Sequence, residues 1–234
     1  MKRQAILRWL IYLLGMVLLA AGLTLNTKTG LGVSAIVGIP YVVSVLWGLN
    51  FGNATLVMYV LFILVQMLLH GRMYASHRSE LVSSLVRDGL QLPLSLLFTR
   101  FMNIISAWIP FLTEVAPNQI GTNLLIRILV LLLAVVLTGV GASMTLNMHL
   151  VPNPGDGIVK ALAQWSGKTT GTMKNLVDAL CVAVMLVLGL LFGSRVVGIG
   201  IGTVVAALGI GRVIYVFEKH CKQALCGLAG IKTV

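Results

Sequence analysis

Two short segments of this 234-residue chain concentrate the residue types that could bind a solute. The first reads Leu25-Asn-Thr-Lys-Thr-Gly-Leu-Gly-Val-Ser-Ala35 and holds Asn26, Gly30, Gly32 and Ser34. Its glycines permit a tight backbone path, and Ser34 is placed to cap a following helix. The second reads Asn147-Met-His-Leu-Val-Pro-Asn-Pro-Gly-Asp-Gly157 and holds Asn147, Pro154, Gly155, Asp156 and Gly157. Pro152 and Pro154 end whatever helix precedes them, and Asp156 is a natural N-cap for the next one. A short helix that starts at such a break presents free amides and partial positive charge, which suits an anion or a carbonyl-bearing solute. Asp156 argues against a simple anion site at the second break. The plain alternative is that both are surface loops.

The remaining candidates are ionisable residues set in apolar runs, where charge is costly and a functional role is the default hypothesis. Asp178 stands one helical turn after Lys174, so a local pair competes with a role in proton or cation coupling. Arg100 and Arg212 could face a shared polar path, or snorkel to the nearer interface. Lys160 lies within one turn of Asp156 and could neutralise it. Arg87 and Asp88 read as a local interfacial pair.

Other chemistries find little support. Gly198, Gly200, Gly202, Gly209 and Gly211 follow no strand, so a dinucleotide loop is unsupported, and the Gly198/Gly202 spacing fits close packing in lipid instead. Cys221 and Cys226 lie on a basic stretch expected in the cytoplasm, where thiols stay reduced. Four histidines and three cysteines without metal-site spacing predict no metal, and no cofactor is expected. No base, nucleophile and metal cluster together, so an enzyme is not expected. The formal charge of +11 reads as attraction to anionic lipid, and nucleic acid need not be invoked.

These residues must be positioned by elements suited to lipid. The chain is 58% hydrophobic and 10% charged, with mean hydropathy +1.00, against about 25% charged residues in a soluble domain. Six runs are long enough for the roughly 20 residues that span hydrocarbon, near 6–26, 53–70, 83–112, 121–147, 173–193 and 196–217. They are continuously apolar, without the alternation of a barrel strand. Two more stretches, 31–48 and 157–166, are apolar but short. Lys2, Arg3 and Arg8, then Arg72 and Arg78, then Lys219, Lys222 and Lys232 place the N-terminus, loop 71–82 and the C-terminus in the cytoplasm, while the loop Thr113–Gln119, with Glu114, falls outside. Six spans plus two re-entrant short helices satisfy all of these. No cleavable signal is expected, because the first run is too long and lacks a small-residue cleavage site.

A weak duplication appears at a separation of 119 residues: Arg8 with Arg127, Gly22 with Gly141, Gly52 with Gly171. With slight drift, Leu25-Asn26 aligns with Leu146-Asn147 and Gly30-Leu-Gly32 with Gly155-Asp-Gly157; at a separation of 112, Arg100 pairs with Arg212. The expected organisation is a first membrane repeat over 1–112, a second over 113–219 and a basic cytoplasmic tail over 220–234. Three spans per repeat is odd, so the repeats insert in opposite orientations. That is the plan of many transporters and channels, whose interrupted helices meet near the midplane.

The Gly22–Ala35 run, with its Gly-Leu-Gly-Val-Ser stretch entering a short Pro-containing helix, and the Pro-Gly-Asp-Gly echo resemble the YczE/YyaS/YitT group of bacterial membrane proteins. The resemblance implies a multi-span plasma-membrane protein and carries no catalytic residue. The expectation is an all-α inner-membrane protein that moves a small solute, as a secondary transporter or channel, between two inverted repeats. A non-transporting binding or regulatory protein is the competing expectation. The expected partners are the lipid bilayer, a small solute and, through the Gly-rich sixth span, a second copy in a homodimer.

Overall fold

A computed structural model of the chain describes residues 2–110, 112 and 120–231; the loop Thr113–Gln119 and Lys232 lie outside the described residues. Among the described residues the chain forms eight helices and no strand: α1 (Lys2–Lys28), α2 (Ala35–Trp47), α3 (Phe51–Met73), α4 (Arg78–Trp108), α5 (Ile120–Asn147), α6 (Pro154–Ser166), α7 (Thr170–Gly193) and α8 (Ile201–Leu228). Six of these, all but α2 and α6, are long and apolar enough to cross a membrane. They coincide with the six apolar runs. α2 and α6 have 13 residues each, about 20 Å of helix against roughly 30 Å of hydrocarbon.

Many large side chains point outward from the long helices: Leu68 is 68% exposed, Leu180 64% and Leu191 72%. Water would not tolerate so much apolar surface, whereas lipid does. The protein is therefore a multi-span membrane protein. Two boundaries depart from expectation. α4 begins at Arg78 rather than 83 and runs on through Pro93. α8 begins only at Ile201, after Gly198 takes a left-handed φ of 74°, and then continues to Leu228. No proline interrupts it, so the stretch from 220, expected as a tail, is helical to that point.

The chain divides into two compact units, each drawn from both ends of the sequence. One comprises Met1–Ser34, Phe101–Leu150 and Gly198–Val234, in which α1 packs on α5 and both meet α8. α1 and α5 run antiparallel: Arg8 lies beside Met148, Gly15 against Met144, and Gly22 against Thr138. Glycine makes this closeness possible. A Cβ on Gly22 would sit 2.5 Å from the Thr138 nitrogen and 2.7 Å from the Ala134 oxygen, and one on Gly141 would sit 2.6 Å from the Gly15 oxygen. On α8, Ala206 packs with Leu131 and Val135 of α5.

Gly32, at φ 119°, lies against the start of α8, where a Cβ would meet the Gly200 nitrogen at 2.8 Å. Gly202 N–H donates to the Leu31 carbonyl and Val33 N–H to the Gly198 carbonyl, each at 2.8 Å. The small residues of 198–202 do serve close packing, but their partner is the extended chain after α1 rather than a second helix.

The other unit comprises Ala35–Arg100 and Val151–Val197. There α2 packs on α7 and α3, while α6 packs on α3 and α7. Gly38 of α2 admits the Met185 thioether of α7, and Trp47 of α2 lies 5.3 Å from Phe192 between ring centroids. Tyr59 of α3 stacks on Phe98 of α4 at 6.0 Å.

Candidate functional site

The second unit holds a continuous chain of buried polar side chains. On α3, Thr55, Gln66 and His70 fall on the same face as Tyr59 and Ile63; on α4, Asp88, Gln91, Ser95 and Thr99 recur at helical spacing. All but His70 are at most 3% exposed. His70 Nδ1–H donates to Asp88 Oδ2 at 2.7 Å, with side chains 14% and 4% exposed. Asp88 Oδ1 accepts from Gln91 Nε2 at 3.3 Å, and the same nitrogen donates to Gln66 Oε1 at 2.9 Å. Gln66 Nε2 returns a bond to Gln91 Oε1 at 3.4 Å and reaches the Pro154 carbonyl at 3.3 Å and the Phe62 carbonyl at 3.2 Å. The chain thus runs from a titratable pair, through two carboxamides, to the first residue of α6.

The Pro-Gly-Asp-Gly segment is shaped by this contact. Gly157 lies flat against the Gln66 carboxamide, with no room for a Cβ, and a Cβ on Gly155 would press Ile36 at 3.3 Å. α6 starts at Pro154 with Asn153 as its N-cap, not at Asp156, because the fixed φ of proline favours the first helical position. Asp156 sits in the first turn instead. Asn153 also saturates that turn: its Oδ1 accepts from Gly155 N–H at 3.0 Å, and its carbonyl accepts from Asp156 and Gly157 N–H. The amides expected to receive an anion at the second break are therefore occupied. Asp156 is half-buried, and this burial pushes its carboxyl above the usual range while Lys174 and Lys160 oppose the rise.

The first unit carries two arginines with matching tasks. Arg8 of α1 donates from Nε to the Met148 carbonyl at 2.7 Å and from Nη2 to the His149 carbonyl at 3.0 Å. Arg127 of α5 donates from Nε to the Thr29 carbonyl at 2.6 Å and from Nη2 to the Gly30 carbonyl at 3.1 Å. The second residue of each pair is left-handed, with φ 63° at Gly30 and 48° at His149. Each guanidinium thus satisfies carbonyls freed where a helix stops.

The sequence candidates do not converge. Asn26, Gly30, Gly32 and Ser34 lie at one end of the antiparallel α1–α5 pair and Asn147 at the other, so these two breaks do not meet at a shared midplane point. Asn147 is buried and donates to Ser143 and, at 3.2 Å, to Glu218 of α8. Asn26, 2% exposed, has a buried Oδ1 without a partner among the described residues. Pro154, Gly155, Asp156, Gly157 and Lys160 lie together on α6. Among the described residues the ion pairs are His70–Asp88 and Lys174–Asp178, the latter at 3.0 Å. Asp178 thus has the local partner, and exposed Lys160 does not lock Asp156. Arg100 and Arg212 both lie exposed on outer faces, in keeping with snorkelling rather than a polar path. Arg87 is exposed too, while its neighbour Asp88 turns inward to His70, since adjacent helical residues point about 100° apart.

Gln66, His70 and Gln91 escaped the sequence reading. The available signal was their spacing with Asp88 on two helical faces, which became decisive only once those faces met.

Fold and site together define a multi-span helical membrane protein with a buried, titratable polar chain. The protein belongs to a family of unknown function, DUF6198, which matches residues 6–219. No curated protein and no solved structure matches it.

Proposed function

We propose that the protein moves a small solute across a bacterial inner membrane, as a secondary transporter or channel built from two inverted repeats with both termini cytoplasmic. The observation that carries this reading is the buried chain His70–Asp88–Gln91–Gln66–Pro154. Buried polar groups in a lipid-embedded bundle are expensive, and they are retained where a solute or proton must pass. The chain also joins α3 and α4 of the first repeat to α6 of the second.

The inverted arrangement draws support from the arginines. Arg8 and Arg127, and likewise Gly30 and His149, are related by the same separation of 119 residues and make equivalent bonds at opposite ends of an antiparallel pair. The packing of α2 on α7 mirrors that of α6 on α3, as expected if α2 corresponds to α6 and α3 to α7. The resemblance to the YczE/YyaS/YitT group fits a plasma-membrane location.

One specific observation favours the competing reading, a binding or regulatory protein that moves nothing. Lys174–Asp178 is closed locally and the first turn of α6 is saturated, which leaves few groups to hold a charged solute.

Proteoliposomes assayed for counterflow with a panel of labelled small polar solutes decide between them. Transport predicts accumulation of at least one solute, lost in Gln66→Leu. Absence of flux for every solute by folded wild type would favour the regulator. Cysteine labelling tests orientation: Ala75→Cys and Lys168→Cys should react from the cytoplasm, and Ser194→Cys from outside.

A further inference from the structure

We propose that the His70–Asp88 pair binds a coupling proton and that the Gln91–Gln66 carboxamide pair transmits its presence to the first turn of α6. This deepens the transport reading by naming the coupling ion, and it rests on that reading for its purpose but not for its geometry.

The argument begins with hydrogen-bond polarity. A carboxamide has a donor end and an acceptor end, so a chain of them has a direction. Here Asp88 Oδ1 accepts from Gln91, Gln66 Oε1 accepts from Gln91, and the Pro154 carbonyl accepts from Gln66. Each donor in this order is fixed by the acceptor before it. The arrangement requires that Asp88 Oδ1 carry no proton. A proton placed there turns Oδ1 from acceptor to donor, and the Gln91 amide must then rotate to offer its Oε1. That rotation swaps the two ends of the Gln91 amide, so its Oε1 now faces Gln66 Oε1 in place of Nε2, and Gln66 must rotate in turn and bring its own Oε1 against the Pro154 and Phe62 carbonyls. Two acceptors then face each other in a dry site, and the hold on α6 is lost.

The site is built so that this message cannot dissipate. Gln66 and Gln91 are each 1% exposed, so no water competes for their bonds. Gly157 brings the α6 backbone directly onto the Gln66 amide, so rotation of that amide acts on α6 itself. His70, the most exposed member, stands at the other oxygen of Asp88 and compensates its charge while a proton is exchanged.

Other titratable groups near these elements are few. Tyr74 lies 6.0 Å from the His70 ring. On α4, Arg78, Glu80 and Arg87 are exposed; on α6, Asp156 and Lys160 lie beyond Gln66, and α2 carries no charged residue. α7, which also packs on α6, brings the Lys174–Asp178 pair near Asp156, so Asp156 and that pair are the rival proton sites at α6.

The test uses full-length protein in nanodiscs, with its three cysteines replaced and bimane attached at Lys160→Cys. Emission and mobility are followed across a pH series. The wild-type background should show a mobile α6 at the acid end and a held α6 at the alkaline end. Asp88→Asn, which offers a permanent donor, should remain in the acid state throughout. Gln66→Met and His70→Gln should lose the pH response, while Asp156→Asn should keep it. A response that persists in Gln66→Met, disappears in Asp156→Asn, or is absent from wild type would overturn the proposal. Should a variant misfold, Gln91→Met provides a second break in the same chain with the same expected loss. Proton flux, read separately in pyranine-loaded liposomes, distinguishes the two readings: a pH-responsive α6 without any flux retains the relay and removes the transporter.

Discussion

The α1–α5 seam and the polar seam between α3, α4 and α6 join their helices by opposite means. The first excludes side chains. Gly15, Gly22 and Gly141 let backbones touch, and an arginine at each end makes long-range side-chain bonds to carbonyls just past the opposite helix of the pair. The second is filled by side chains, and its bonds depend on which way two carboxamides face. A backbone contact has one geometry, whereas an amide pair has two. The comparison teaches where this molecule can hold two states and where it cannot.

The largest effect should come from closing the first seam. Gly22→Val drives a branched side chain into the Thr138 and Ala134 backbone, and overpacking of this kind costs upwards of about 3 kcal/mol. Little folded protein should survive size-exclusion chromatography. Gly71→Ala and Gly89→Ala are the controls: nothing lies within 4 Å of either added Cβ, and a helical Gly→Ala change gains about 0.5–1 kcal/mol. If Gly22→Val folded as well as these, the seam would not be backbone-limited.

Breaking the polar seam should cost less. Gln66→Leu leaves the Gln91 amide and the Pro154 carbonyl short of a partner, at about 1–3 kcal/mol. The double variant with Gln91→Leu should recover part of that loss, and thermal unfolding of the cycle measures the coupling. Strict additivity would mean that the two amides do not act as a pair.

The arginines offer a comparison within the first seam. Arg8→Lys and Arg127→Lys should each lower thermal stability by about 1–2 kcal/mol, because lysine cannot span two carbonyls. Equal losses would support equivalent ends. The two asparagines, by contrast, should differ. Asn147→Leu removes bonds to Ser143 and Glu218, while Asn26→Leu removes a buried oxygen without a described partner, so the first destabilises by about 1–3 kcal/mol and the second by less than about 0.5.

The smallest effect concerns pH. Burial raises the Asp156 carboxyl in the folded protein, so folding is favoured while it is protonated and loses that advantage as pH rises through the raised value. Asp156→Asn should remove this dependence and leave the variant slightly more stable than wild type at neutral pH, as thermal melts across pH would record.

Much of the fold was legible because lipid imposes a length and a composition that apolar runs reveal directly. The six spans and two short helices could be read this way, and spacing alone drew Arg8 and Arg127 to notice. Their hydrogen bonds could not, since nothing in a spacing says what a guanidinium touches. The site was obscured for a different reason. Gln66 and Gln91 are uncharged and sit in long apolar stretches, where they draw little notice until two helical faces are set opposite each other. Asp88 was read with Arg87 because they adjoin in sequence, while the helix turns them apart. At Asn153-Pro154, two plausible start signals competed, and the proline fixed the helix two residues before the carboxylate.

The arginines at the two ends of α1 and α5 have a mechanical consequence. A pair of helices pinned at one end can slide, as pistons do, by a helical turn. Pinned at both, sliding in either direction must break four hydrogen bonds at once, from Arg8 and Arg127 alike. This pair is therefore a strut of fixed length, which resists shortening and extension alike.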